Sequence, residues 1–160
     1  MDYRQRETMN PLLTFKHLET PGEVRSAYPV MKELRPHLAS ADAFAEQVQR
    51  QRGEAYRLLG AFDGERLLGL AGYRRMTNLI YGPFVYVDDL VVAADNKRGG
   101  VGSALLAEVR RIARDAGCAQ FVLDTGLHMA LAQRFYFRNG LLAKGMHFRQ
   151  ALDMTEEAVQ

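Results

Sequence analysis

The residues with most to offer chemically are Lys97-Arg98-Gly99-Gly100-Val101-Gly102-Ser103, a basic, glycine-rich turn between an apolar strand pattern and an amphipathic helical one. Such a turn suits a pyrophosphate. The first amides of a helix have no intrahelical acceptor and point outward, and the helix dipole adds partial positive charge there. Gly99, Gly100 and Gly102 let the main chain approach phosphate oxygens closely, and Lys97 and Arg98 add charge at the rim. Two familiar phosphate loops are excluded. A Walker-A loop ends in Gly-Lys-Ser/Thr, whereas Gly102 is followed by Ser103 and Ala104. A dinucleotide fingerprint needs a third glycine where Leu105 stands. For Gly-x-Gly alone, a βα turn with no ligand is the plain alternative.

A second group offers proton chemistry. Asp88 and Asp89 lie on the apolar strand before the turn, Asp124 ends the next strand, His128 follows on the loop, and Tyr136 stands in Phe135-Tyr136-Phe137-Arg138-Asn139-Gly140. Strand residues alternate between faces, so only one of Asp88 and Asp89 is expected to look into a cleft. Histidine has the intrinsic pKa nearest neutrality. Each of these residues has a plain alternative: a cap, a surface salt bridge or, for Tyr136, a core aromatic.

The two groups together resemble the GNAT superfamily of N-acetyltransferases. Its motif A reads Arg/Gln-x-x-Gly-x-Gly/Ala after a strand. Here that is Lys97-Arg98-Gly99-Gly100-Val101-Gly102, with Lys in first place keeping the charge. The family's Phe/Leu-Tyr-x-x-x-Gly pattern matches Phe135 to Gly140, after the strand Phe121–Asp124. Met129 stands where many relatives carry a cofactor-contacting asparagine. The resemblance covers residues 85 to about 148. It implies that acetyl-CoA is the co-substrate, bound in a gap between two splayed parallel strands. Backbone groups of Leu90, Val91 and Val92 would meet the pantetheine and the oxyanion, and Lys97 to Ser103 the pyrophosphate. It also implies that Tyr136 protonates the departing thiolate, a modest transfer because a thiol has pKa ~8.5 and tyrosine ~10. Asp124, Asp89, Asp88 and His128 stay open as the base that relieves the amine of its proton, beside a water relay. A non-catalytic acyl-CoA-binding or sensing module on the same fold is the competing function, and a simple nucleotide-binding domain a third.

The pattern along the chain gives the elements that position these residues. Residues 1–10 read as a loose arm and Leu12–Leu18 as a strand. Thr20-Pro21-Gly22-Glu23 is a capping box with proline at the first helical position. That helix is kinked or split at Pro29 and ends near Leu34, before Pro36. A further helix runs from about Ala41 to Arg52. Asp63-Gly64-Glu65 joins the strands Tyr56–Phe62 and Arg66–Arg75 as a hairpin, and Gly82-Pro83 separates it from a strand at about Phe84–Val92. The helix after the glycine turn buries Val101, Ala104, Leu105, Val109, Ile112, Ala113 and Ala116 and stops at Gly117. A strand (Ala119–Asp124), a helix (about Ala130–Arg138) and two strand-like stretches, around Leu141–Lys144 and Met146–Leu152, complete the order β-α-α-β-β-β-α-β-α-β-β. Helices mixed with hairpin-connected strands predict an α/β domain with a mixed, mostly antiparallel sheet.

Length and composition bound the rest. At 160 residues, 48% hydrophobic and 25% charged, the chain reads as one globular domain spanning 1–160. A net charge of +2 without a Lys/Arg run argues against nucleic acid. The first ten residues are polar and no apolar run reaches the ~20 residues of a membrane span. The expectation is a cytoplasmic protein, and fold analogy suggests a homodimer. Cys118 stands alone, so no internal disulfide is possible. The histidines at 17, 37, 128 and 147 show no zinc spacing, so no metal is expected. Arg35, Arg74 and Arg75, in the region that varies with acceptor in the family, would suit a carboxylate-bearing amine.

Overall fold

The computed structural model describes residues 12–97 and 99–152. The proposed arm, residues 1–10, lies outside the described residues. The chain falls into two compact units, residues 1–123 and 124–160.

The first unit contains a five-stranded sheet in the order β1-β2-β3-β4-β5, formed by Thr14–His17, Tyr56–Asp63, Arg66–Asn78, Gly82–Val92 and Gln120–Leu123. All neighbours are antiparallel except β4 and β5. Helices α1 (Pro21–Ser26), α2 (Tyr28–Leu34) and α3 (Ala41–Arg52) cover one face. There Val24, Met31, Phe44 and Val48 pack with Tyr56, Leu58, Leu70 and Val91. Helix α4 (Val101–Asp115) covers the other, where Val101, Leu105, Val109 and Ala113 pack with Leu59, Ala71, Tyr73, Val85 and Val87. This period-2 division of β2, β3 and β4 between two cores is what a sheet covered on both faces requires.

Local chemistry accounts for the helix boundaries. The Thr20 hydroxyl accepts from the Glu23 amide at 3.2 Å and the Glu23 carboxylate accepts from the Thr20 amide at 3.0 Å, a reciprocal cap. Pro29 does more than kink. The chain breaks into two helices at Ala27, with Pro29 in the first turn of α2, where its missing N–H costs nothing. Helix α4 ends at Gly117 (φ 76°), where the Cys118 amide reaches back to the Ala113 carbonyl at 2.9 Å. Leu106 is fully buried as well, although it stands off the expected apolar face. Strand β4 starts earlier than the pattern suggested. Pro83 lies inside it, pairing with Thr77 on β3, but before Phe84, where β5 first joins the other edge.

The second unit contains α5 (Ala130–Arg138), ended by Gly140 at φ 80°. The strand-like stretches around Leu141–Lys144 and Met146–Leu152 are not strands here. Leu142, Met146 and Phe148 are exposed, and no ladder partner faces residues 141–152 among the described residues. Alternation alone does not make a strand, because the backbone groups need a neighbour to pair with.

Candidate active site

The glycine turn sits at the C-terminal end of β4. A single 3-10 turn, Ala94–Asn96, leads to Lys97, which is exposed. Arg98 lies outside the described residues. Gly100 takes φ 74° as the residue before α4 and supplies no side-chain cap. The first intrahelical donor is Ala104, bonded to the Gly100 carbonyl at 3.0 Å. The amides of Val101, Gly102 and Ser103 come before it, with no acidic residue in that first turn to compete for them. Gly69 lets α4 dock closely here. A Cβ on it would lie 2.9 Å from the Val91 carbonyl and 3.0 Å from Leu105.

Beside the turn, the two parallel strands part. Strand β5 pairs with β4 only from Phe84 to Val87. From Asp88 through Leu90, Val91 and Val92, β4 has β3 on one side and no strand on the other among the described residues. A strand edge without a strand neighbour among the described residues, running into a helix N-terminus without a side-chain cap, offers backbone donors and acceptors to an extended ligand that ends in phosphate.

The sequence reading of Asp88 and Asp89 needs correction. Tyr73 pairs with Val87 and Gly72 with Asp89, so Asp88 is an extra residue, a β-bulge. The bulge breaks the alternation that would have sent the two carboxylates to opposite faces. Both instead meet partners on the α1–α3 face. Asp88 is gripped by Arg74 at 2.7 and 2.9 Å, and this pairing raises the Arg74 pKa. Asp89 accepts from the Arg35 guanidinium at 2.9 Å and the Tyr56 hydroxyl at 2.8 Å. Two of the three arginines expected to greet a carboxylate-bearing acceptor are therefore engaged by the protein's own aspartates. Arg75 is exposed.

In the second unit, Asp124 meets a residue the sequence reading left unassigned: His147 Nδ1 lies 3.1 Å from its carboxylate. No local spacing signals this pair, because 23 residues separate its members. His128 is exposed. The preceding loop is held by the Gln133 amide, which donates to the Gly126 and Leu127 carbonyls at 3.0 Å. Tyr136 is half-buried in α5, and burial raises the pKa of its hydroxyl. Among the described residues no group of three or more His, Cys, Asp or Glu side chains gathers as a metal site would, and no helix is long and apolar enough to cross a membrane.

Comparison with known proteins agrees with this geometry. The family model "Acetyltransferase (GNAT) family" matches residues 23–141, running through both units. An uncharacterized N-acetyltransferase of Bacillus subtilis, YhdJ, is 28% identical over 126 residues, 78% of this chain and 88% of its own. The aminoalkylphosphonate N-acetyltransferase of Salmonella typhimurium is 28% identical over 154 residues, 93% of this chain and 97% of its own. Among solved structures, AAC(6')-Iy in complex with the bisubstrate analogue CoA-S-monomethyl-acetylneamine superposes with a TM-score of 0.74. It is 16% identical, over 87% of this chain and 98% of that one.

Proposed function

The chain belongs to the acetyltransferase (GNAT) family, and from that premise we propose that it moves an acetyl group from acetyl-CoA to a primary amine, by direct attack in a ternary complex. The observation that carries this reading is the continuity of the β4 edge from Leu90 to Val92, which has no strand beside it among the described residues, with the N-terminus of α4, which has no side-chain cap. The turn from Gly99 to Ser103, through the amides of Val101, Gly102 and Ser103, receives the pyrophosphate together with Lys97 and Arg98. The backbone of Leu90 to Val92 hydrogen-bonds the pantetheine amides and steadies the oxyanion of the tetrahedral intermediate. The complex of AAC(6')-Iy with a CoA-containing analogue supports the same choice of co-substrate.

Tyr136 is the proposed acid. Its hydroxyl stays protonated at neutral pH and can donate its proton to the departing thiolate, and the upward shift from burial makes that donation more demanding than from a free tyrosine. For the amine's proton, Asp88 and Asp89 are weakened as candidates because guanidinium groups already neutralise them. Asp124 with His147, and His128, are the stronger candidates. The acceptor is a small molecule or a peptide N-terminus. The likeness to an aminoalkylphosphonate N-acetyltransferase adds amines bearing an anionic group to the classes to be tried.

Calorimetry tests the cofactor half of this reading. Wild-type protein should bind acetyl-CoA, and Gly100→Asp, which sets a carboxylate against the pyrophosphate, should abolish that binding while the fold persists. Equal affinity in the two proteins contradicts the assignment.

A further inference from the structure

One carboxylate in the first unit ties together more elements than its stability role requires. Asp89 sits on β4 beside the bulge, with its side chain only 13% exposed. It accepts from Tyr56 of β2, whose ring crosses β3 at Gly72. A Cβ on Gly72 would lie 2.8 Å from the Asp89 carboxylate and closer still to the Tyr56 hydroxyl, so that position must be empty for the two to meet. Asp89 also binds Arg35, the residue that ends α2, at 2.8 Å. The same guanidinium donates to the Asp88 carbonyl at 2.9 Å. That carbonyl belongs to the bulge residue, and a bulge leaves its extra residue outside the ladder. Arg35 therefore fastens the one point at which β4 leaves regular pairing, immediately before Leu90, Val91 and Val92. A Phe at 56 and an apolar residue at 89 would fill this space without a buried carboxylate to satisfy.

We propose that Asp89, Arg35 and Tyr56 are positioning residues that hold the bulged β4 edge in the form that receives the acetyl-pantetheine arm. Asp89 is thereby a strut, not the base. The same strut links Arg35, at the end of α2, to the cofactor edge. This inference rests on the assignment of acetyl-CoA to β4 and α4, and it extends that assignment by separating two halves of the ligand. The nucleotide half depends on the glycine turn alone, and the acetyl-pantetheine half depends on the strut.

Two probes distinguish the halves: acetyl-CoA, and adenosine 3′-phosphate 5′-diphosphate, which lacks the pantetheine arm. Each is titrated calorimetrically into wild type, Asp89→Asn, Arg35→Gln, Arg35→Lys and Tyr56→Phe. Hydrogen bonds to charged groups contribute enough that Asp89→Asn, Arg35→Gln and Tyr56→Phe should each weaken acetyl-CoA by about tenfold. Affinity for the nucleotide fragment should not change. Arg35→Lys, which keeps the charge but not the two-armed reach, should fall between wild type and Arg35→Gln. The conservative Tyr56→Phe variant carries the test should Asp89→Asn fail to fold. Parallel weakening of both probes, or weakening of neither, overturns the strut. Wild-type protein that binds neither probe overturns the cofactor assignment beneath it.

Discussion

At the scale of single residues, the sharpest claim concerns Tyr136. Tyr136→Phe keeps the ring and removes only the hydroxyl. It should lower kcat by ~10²–10⁴ while leaving acetyl-CoA affinity and melting temperature unchanged. Pre-steady-state thiol release measures the chemical step. An unchanged rate would leave Tyr136 a packing aromatic and give the thiolate's proton to water. The helix that carries Tyr136 was legible in the chain because its stop is local: Gly140 stands at the end of α5, with φ 80°. The carboxylates were not legible in the same way. Alternation is the only rule a strand pattern offers for the side on which a residue lies, and one inserted residue at Asp88 cancels it. Nor does sequence reveal that Arg35 and Arg74 are spent on Asp89 and Asp88, since those partners lie 54 and 14 positions away.

At the scale of elements, what the chain displayed was what backbone chemistry dictates locally. The Thr20–Glu23 box, the break forced by Pro29 and the stop at Gly117 all depend on residues within one or two turns. Residues 141–152 failed because a strand is a property of pairs of segments. The capping box carries its own prediction. Bonds from Lys16 and from the Thr20 and Glu19 amides depress the Glu23 pKa from 4.5 to about 2. Between those values the unfolded chain binds more protons than the folded one. The Glu23 contribution is therefore complete above pH 4.5 and is lost as pH falls toward about 2. Glu23→Gln should melt with a flatter pH dependence across that window, and an identical slope would contradict the cap's role. Helix α4 depends on its core face instead. Leu105 is fully buried, so Leu105→Ala should cost about 2–5 kcal/mol in urea denaturation. That loss would act at the helix whose N-terminus is assigned to the pyrophosphate.

At the scale of the whole molecule, folding is linked to pH near neutrality through His17. Burial lowers its pKa from 6.5, and its ring lies 2.7 Å from the Tyr73 hydroxyl. The folded state therefore favours neutral His17. Its contribution is complete above pH 6.5 and declines as pH drops through the lowered value, because the unfolded chain takes up the proton first. His17→Gln should reduce the fall in melting temperature between pH 7 and about 5, and an unaltered fall would assign it to other groups. The catalytic claim concerns the chain as a whole, whose family match runs from residue 23 to residue 141. It is tested most directly by incubating the protein with acetyl-CoA and a panel of amines (amino acids, aminoalkylphosphonates, aminoglycosides, polyamines and peptide N-termini) while measuring free thiol and acetylated amine together. The predicted result is thiol release that depends on one amine class and matches its acetylation mole for mole. Tight binding of acetyl-CoA with no release above the protein-free rate for every amine would contradict an acetyltransferase and leave an acyl-CoA-binding module.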